Sequence, residues 1–170
     1  MTFTSISSLG SNGKTVFYDE DGKLTYFSEY KKNLNENSML LFKKDKVLIS
    51  KIKYFSNRDV SANNYKIYID NQEYLFKNCG NKVLHCTNGN FYLKRNFFDK
   101  GFSFFSENKK LMKVKTYSFF RDYLRAKYYI NIDNSVVEEK INFFISVCLL
   151  YFILVYESSL YTQAMNFGSC

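Results

Sequence analysis

The sequence predicts a mainly β protein, a barrel of antiparallel strands closed around one hydrophobic helix near its C-terminal end. Three observations carry this expectation. Short apolar runs alternate with turn-forming tetrads at about the 8–12-residue spacing that marks sandwiches and barrels. The chain holds 18 Phe and 15 Tyr but no Trp and no Pro, and Phe, Tyr, Ile and Val suit a pleated, half-buried surface. A single stretch, Phe143–Tyr156, stays apolar for 14 residues, with Ser146 as its one polar interruption. A chain of 170 residues suits one domain and buries roughly two thirds of its unfolded surface.

Twelve candidate strands follow in chain order. Phe3–Ser7 comes first. Lys14–Tyr18 and Lys23–Ser28 flank Asp19-Glu20-Asp21-Gly22, and Met39–Phe42 and Val47–Tyr54 flank Lys43-Lys44-Asp45-Lys46. Tyr65–Ile69 and Tyr74–Lys77 enclose Asp70-Asn71-Gln72-Glu73, and Lys82–Cys86 and Phe91–Arg95 enclose Thr87-Asn88-Gly89-Asn90. Phe102–Phe105 and Leu111–Thr116 flank Glu107-Asn108-Lys109-Lys110, and Lys127–Ile132 closes the series. Asp, Asn and Gly suit such loops because they tolerate positive φ or bond their own backbone. Tyr65, Ile67 and Ile69 share one face against Lys66 and Tyr68, and Met112 and Val114 oppose Lys113 and Lys115. That alternation gives each strand one apolar and one solvated face. Barrel diameter grows with strand number, so a barrel this wide has room for a helix about 10 Å across.

The helix is expected over about 135–156. Ser135-Val136-Val137-Glu138 fits a capping box, with Ser135 as N-cap and Glu138 reaching back to its backbone N–H. From there to Tyr156 is about 21 residues, roughly 31 Å of helix. A helix apolar on every side has no water-facing stripe and needs enclosure all round. A bilayer span needs roughly 20 apolar residues, so a membrane anchor built on Ile141–Tyr156 ranks behind a buried helix. Met1–Gly10 lacks the basic and apolar regions of a signal peptide, and the tail over 158–170 reads as loosely ordered.

The hairpin series, the Tyr18–Glu29 segment YDEDGKLTYFSE and the final apolar helix resemble the tubby-like superfamily. Within it they are most similar to the small LURP-one-related and scramblase-like proteins. The resemblance spans about Lys14 to Glu157 and rests on pattern and order. It implies a twelve-stranded barrel threaded by a hydrophobic C-terminal helix, and a link to phosphoinositide or phospholipid binding. Relatives commonly close the helix on small residues; this chain has Val155-Tyr156-Glu157 there.

The formal charge is +8, from 24 Lys and Arg against 16 acids, which favours contact with anionic surfaces. The densest cluster is Lys109, Lys110, Lys113, Lys115, Arg121, Arg125 and Lys127, with Glu107 and Asp122 nearby and Tyr117, Phe119, Phe120 and Tyr123 interleaved. On an outward sheet face, each such cation adds about 1 kcal/mol near anionic lipid. Lys113, Lys115, Arg121, Arg125 and Lys127 are therefore the expected lipid-binding residues. The same Lys residues also suit a solvated strand edge that resists aggregation. An acidic protein partner is the alternative. Nucleic acid ranks lower, because Arg is scarce and no RNA-binding signature is present.

Catalytic patterns are missing from the sequence. The lone histidine, His85, precedes Cys86 directly, and neighbouring strand residues point to opposite faces. Cys79 and Cys86 lack the second ligand pair of a zinc site. Cys148 lies in the apolar run as a small hydrophobe, and Cys170 is at the wrong place for prenylation. Unpatterned cysteines without a leader point to a reducing cytoplasm. Gly10 to Thr15 ends like a P-loop, but its glycines are too close together and a strand follows. Asp19-Glu20-Asp21-Gly22 lacks the ligand spacing of a calcium loop. The expectation is a non-enzymatic protein without metal or cofactor.

Overall fold

Period-two alternation closes the chain on itself. The computed structural model describes residues 1–8, 13–33, 36–54, 64–78, 83–95, 101–118 and 126–167. Its strands are β1 (Thr2–Ser8), β2 (Lys14–Tyr18), β3 (Leu24–Asn33), β4 (Glu36–Lys43), β5 (Leu48–Tyr54) and β6 (Asn64–Ile69). They continue as β7 (Gln72–Asn78), β8 (Val83–Cys86), β9 (Phe91–Arg95), β10 (Phe102–Ser106), β11 (Lys109–Ser118) and β12 (Ala126–Ile132). Each strand pairs antiparallel with its neighbours in sequence, and β1 pairs with β12, which closes a twelve-stranded barrel. Closure removes both sheet edges. All twelve sequence candidates lie within or across these strands.

A 3-10 turn over Glu138–Lys140 leads into α1 (Ile141–Phe167), 27 residues long. Phe17, Ile52, Ile67, Phe76, Phe102, Phe104, Val114 and Ile130 point inward and pack in one core with the helix residues from Ile141 to Ile153. Helix aromatics lock onto opposite walls. Phe152 stacks on Tyr128 of β12 at 4.0 Å and on Phe17 of β2 at 6.2 Å. Tyr151 meets Phe102 of β10 at 4.1 Å, and Phe143 meets Tyr74 of β7 at 4.6 Å. One buried polar pair ties the helix to the wall: Ser146 Oγ lies 2.7 Å from Ser50 Oγ and donates to Asn142 O, whereas the buried Ser5 Oγ has no hydrogen-bond partner among the described residues. Each fully buried large apolar side chain contributes roughly 1.5–3 kcal/mol.

Both helix ends differ from the sequence expectation. The capping box does not form, because Asp133 turns the chain first. Its Oδ1 accepts Ser135 N at 2.8 Å, while Ser135 Oγ accepts Lys109 Nζ at 2.7 Å. The turn is capped at Val137 without a side-chain bond, and the α-helix proper starts at Ile141. At the other end the backbone stays helical through Phe167, past Tyr156 where the apolar run stops. Glu157, Leu160, Gln163, Ala164 and Met165 are good helix formers, and Gly168 follows in the sequence. Among the described residues, no helix is long and apolar enough to cross a membrane.

Enclosure also makes the barrel sensitive to alkali. Burial pushes the phenols of Tyr128 and Tyr151 up from their ordinary range, since a phenolate inside the core loses its hydration. A pKa raised by folding gives stability that is complete below the unfolded value of about 10 and is lost as pH rises beyond it. The urea midpoint is therefore expected to stay level from neutral pH to the foot of that transition and then fall. Tyr128→Phe should fall less steeply. A midpoint that ignores pH well above the free phenol value would contradict the burial.

Candidate functional site

Strand direction gathers most of the described acids at one end of the barrel, where Lys23, Lys44, Lys46 and Lys140 also lie. Strands run alternately between the two ends of the barrel, so the turns at Asp19–Gly22, Lys44–Asp45, Asp70–Asn71, Thr87–Asn88, Glu107–Asn108 and Asp133–Val136 share one end. The helix enters there. Asp19, Glu20, Asp21, Asp45, Asp70, Glu107, Asp133 and Glu138 all lie in this rim. On the walls, among the described residues, β3, β4 and β7 each carry one acid, and no strand from β8 through β12, or β1 or β2, carries any.

Three of the five expected lipid-binding residues, Lys113, Lys115 and Lys127, fall on strands without acids. Val114 and Met112 point into the core, so Lys113 and Lys115 of β11 point outward, about 7 Å apart along the strand. Lys113 sits opposite Asn131 of β12 and Lys115 opposite Tyr129. Lys127 projects from the same face of β12, with its Nζ 5.8 Å from the Tyr129 ring centre, within cation–π range. Arg121 and Arg125, with Phe119, Phe120 and Tyr123, lie outside the described residues. Lys109 is drawn to the rim by Ser135. Sequence reading missed Lys94, which extends the face onto β9 and pairs in register with Ser103, itself opposite Lys113. The alternation of Tyr92 and Lys94 against buried Leu93 was the available clue.

An open cavity of about 920 Å³ occupies the mouth at the helix entry, lined by Phe3, Glu20, Tyr26, Lys43, Glu138 and Asn142 among others. Its carboxylates already serve the fold. Asp19 Oδ1 accepts Asp21 N and Lys23 N, and Glu20 Oε1 accepts Thr2 N. Tyr26 Oη donates to Asn142 Oδ1 at 3.1 Å, and its phenol is pushed up by burial and then by Glu138. Among the described residues, no cluster of His, Cys, Asp and Glu is arranged to hold a metal.

The thiol candidates divide as alternation dictates. His85 is exposed and Cys86 is buried on the other face. Cys86 Sγ lies 3.4 Å from Asn88 Oδ1, and burial pushes its thiol up. Cys148 lies 3.3 Å from Met112 Sδ, and full burial pushes it well above the ordinary thiol range. A thiol held neutral is a poor nucleophile. Cys79 and Cys170 lie outside the described residues. Outside the barrel, His85 stacks on Tyr92 at 5.6 Å and Tyr92 on Phe105 at 4.9 Å. Both faces of the Tyr92 ring are thus covered by neighbours.

The chain matches no protein-family model, and no curated protein and no solved structure matches it significantly.

Proposed function

We propose that this chain is a small tubby-like, non-enzymatic protein that binds anionic phospholipid at the cytoplasmic membrane surface. The observation that supports this best is the segregation of charge. Lys113, Lys115 and Lys127 project from strands that contain no acid, and most acids among the described residues lie on the rim at one end. A face of one sign raises the local concentration of its counter-ions, and each exposed cation contributes about 1 kcal/mol at an anionic leaflet. Lipid is favoured over single-stranded nucleic acid by the ring ladder on β8–β10. A stacking platform needs open ring faces, and here His85, Tyr92 and Phe105 stack on each other.

The test is co-flotation with phosphatidylserine-containing vesicles. Combined Lys113→Glu, Lys115→Glu and Lys127→Glu should weaken binding at least about 100-fold, from the loss of roughly 3 kcal/mol of lipid contact. The sites are on the outer wall, so stability should hold within about 0.5 kcal/mol per substitution. Unchanged flotation of the folded triple variant would remove these residues from the lipid site.

A further inference from the structure

Outward positions of the barrel are polar by rule, and the sector from β1 to β5 departs from it. Across β1 to β5 the register aligns Ile6 with Val16, Val16 with Phe27, Phe27 with Phe42, and Phe42 with Leu48. All five lie on the outer wall. Ile6 is 39% exposed and Leu48 54%, and the Phe27 and Phe42 rings stack at 5.3 Å. The neighbouring row aligns Tyr129, Thr4, Tyr18 and Leu24. Among the described residues, most exposed large apolar side chains, including Leu24, Val47 and Tyr129, sit in or beside these rows. A contiguous apolar patch on a protein surface marks a contact site.

The row begins at the cationic face. Ile6 is the register partner of Lys127, and Tyr129 is the partner of Lys115. We propose that the β12–β3 part of this stripe is the bilayer-contacting surface of the protein. Lys115 and Lys127 then meet phosphates while Ile6, Val16 and Phe27 enter the boundary between headgroups and acyl chains. This rests on the lipid reading above and adds to it: the ligand is a bilayer surface, not an isolated headgroup. Charge complementarity selects this occupant. Stable peripheral binding combines buried apolar area with attraction to anionic lipid, and Tyr18 and Tyr129 have the amphipathic rings found at membrane interfaces. A second copy is disfavoured, because the strands from β12 to β3 carry Lys14, Lys31, Lys32 and Lys127 against the single acid Glu29, so face-to-face packing sets mainly cation against cation.

The chain has no Trp, which allows a single reporter. Ile6→Trp places one on the stripe at an exposed strand position that suits an aromatic ring. His85→Trp places the control on β8, half-way round the barrel from β2. With phosphatidylserine-containing vesicles, emission of Ile6→Trp should shift to the blue and be quenched by brominated acyl chains, while His85→Trp stays unchanged. Phe27→Ser should weaken vesicle binding about tenfold. If both Trp variants float with vesicles and Ile6→Trp stays unshifted and unquenched, the stripe is overturned and the lipid reading stands. If wild-type protein does not float, both fall. A blue shift without vesicles that grows with concentration, alongside a doubled mass by light scattering, would make a second copy the occupant and overturn the proposal.

Discussion

Leu150→Lys is expected to leave the chain unable to form its barrel. Leu150 is fully buried at the centre of the helix, flanked by the equally buried Leu149 and Ile153. Among the described residues, the buried wall side chains are aromatic, aliphatic or sulfur-bearing, with scattered Ser and Thr hydroxyls and no carboxylate. Taking an ammonium ion out of water costs several kcal/mol even after relaxation, and roughly 2–3 kcal/mol of leucine burial is lost besides. Together these rival the 5–15 kcal/mol that holds a typical domain. Leu150→Ala, which leaves a cavity alone, should cost about 2–5 kcal/mol and remain foldable. Circular dichroism and soluble yield check both. A soluble Leu150→Lys variant with a cooperative, near-normal melt would mean that the helix is not enclosed.

Gly101→Ala is expected to be the most damaging small substitution. A Cβ added at Gly101 lands on Val114 O, 2.8 Å from Val114 C and 3.1 Å from Lys115 Cα. Val114 is the register partner of Phe102 across β10 and β11. The obstacle is thus sheet backbone and cannot rotate away, as a side chain could. Separating the two strands disturbs ladder bonds and the packing of Phe102 and Val114 together, at a cost of about 3 kcal/mol or more. Gly22→Ala is the comparison. Gly22 has φ +75° and open space around its Cα, so only backbone strain of roughly 1–2 kcal/mol applies. Urea unfolding of the two variants should rank Gly101→Ala as much the worse, and the reverse order would contradict the close approach of β10 and β11.

The barrel was legible because its information is local. Turn tetrads and alternation mark each hairpin, and a run apolar on all sides can only be enclosed or placed in lipid. The helix boundaries were less legible. Ser135 and Glu138 satisfy a capping pattern in sequence, yet the Asp133 turn and the distant Lys109 claim the Ser135 groups first. Lys113, Lys115 and Lys127 could be set on the outward face by alternation alone, whereas the segregation of acids to one rim depends on which strand ends coincide in space. The apolar stripe was hidden for a related reason. Met39–Phe42 reads as one buried run, and only the register shows Met39 and Leu41 inward with Phe42 stacked outside on Phe27. The need for glycine at position 101 is likewise invisible until β11 is packed against it.

Flotation of the purified wild-type protein with neutral and with anionic vesicles, at low and at physiological salt, tests membrane binding most directly. Anionic selectivity that weakens with salt but survives at physiological strength is the predicted result, since electrostatic attraction is screened while the apolar contact is not. Protein that stays at the bottom of the gradient under every condition would contradict the lipid reading and leave the barrel in search of an acidic protein partner.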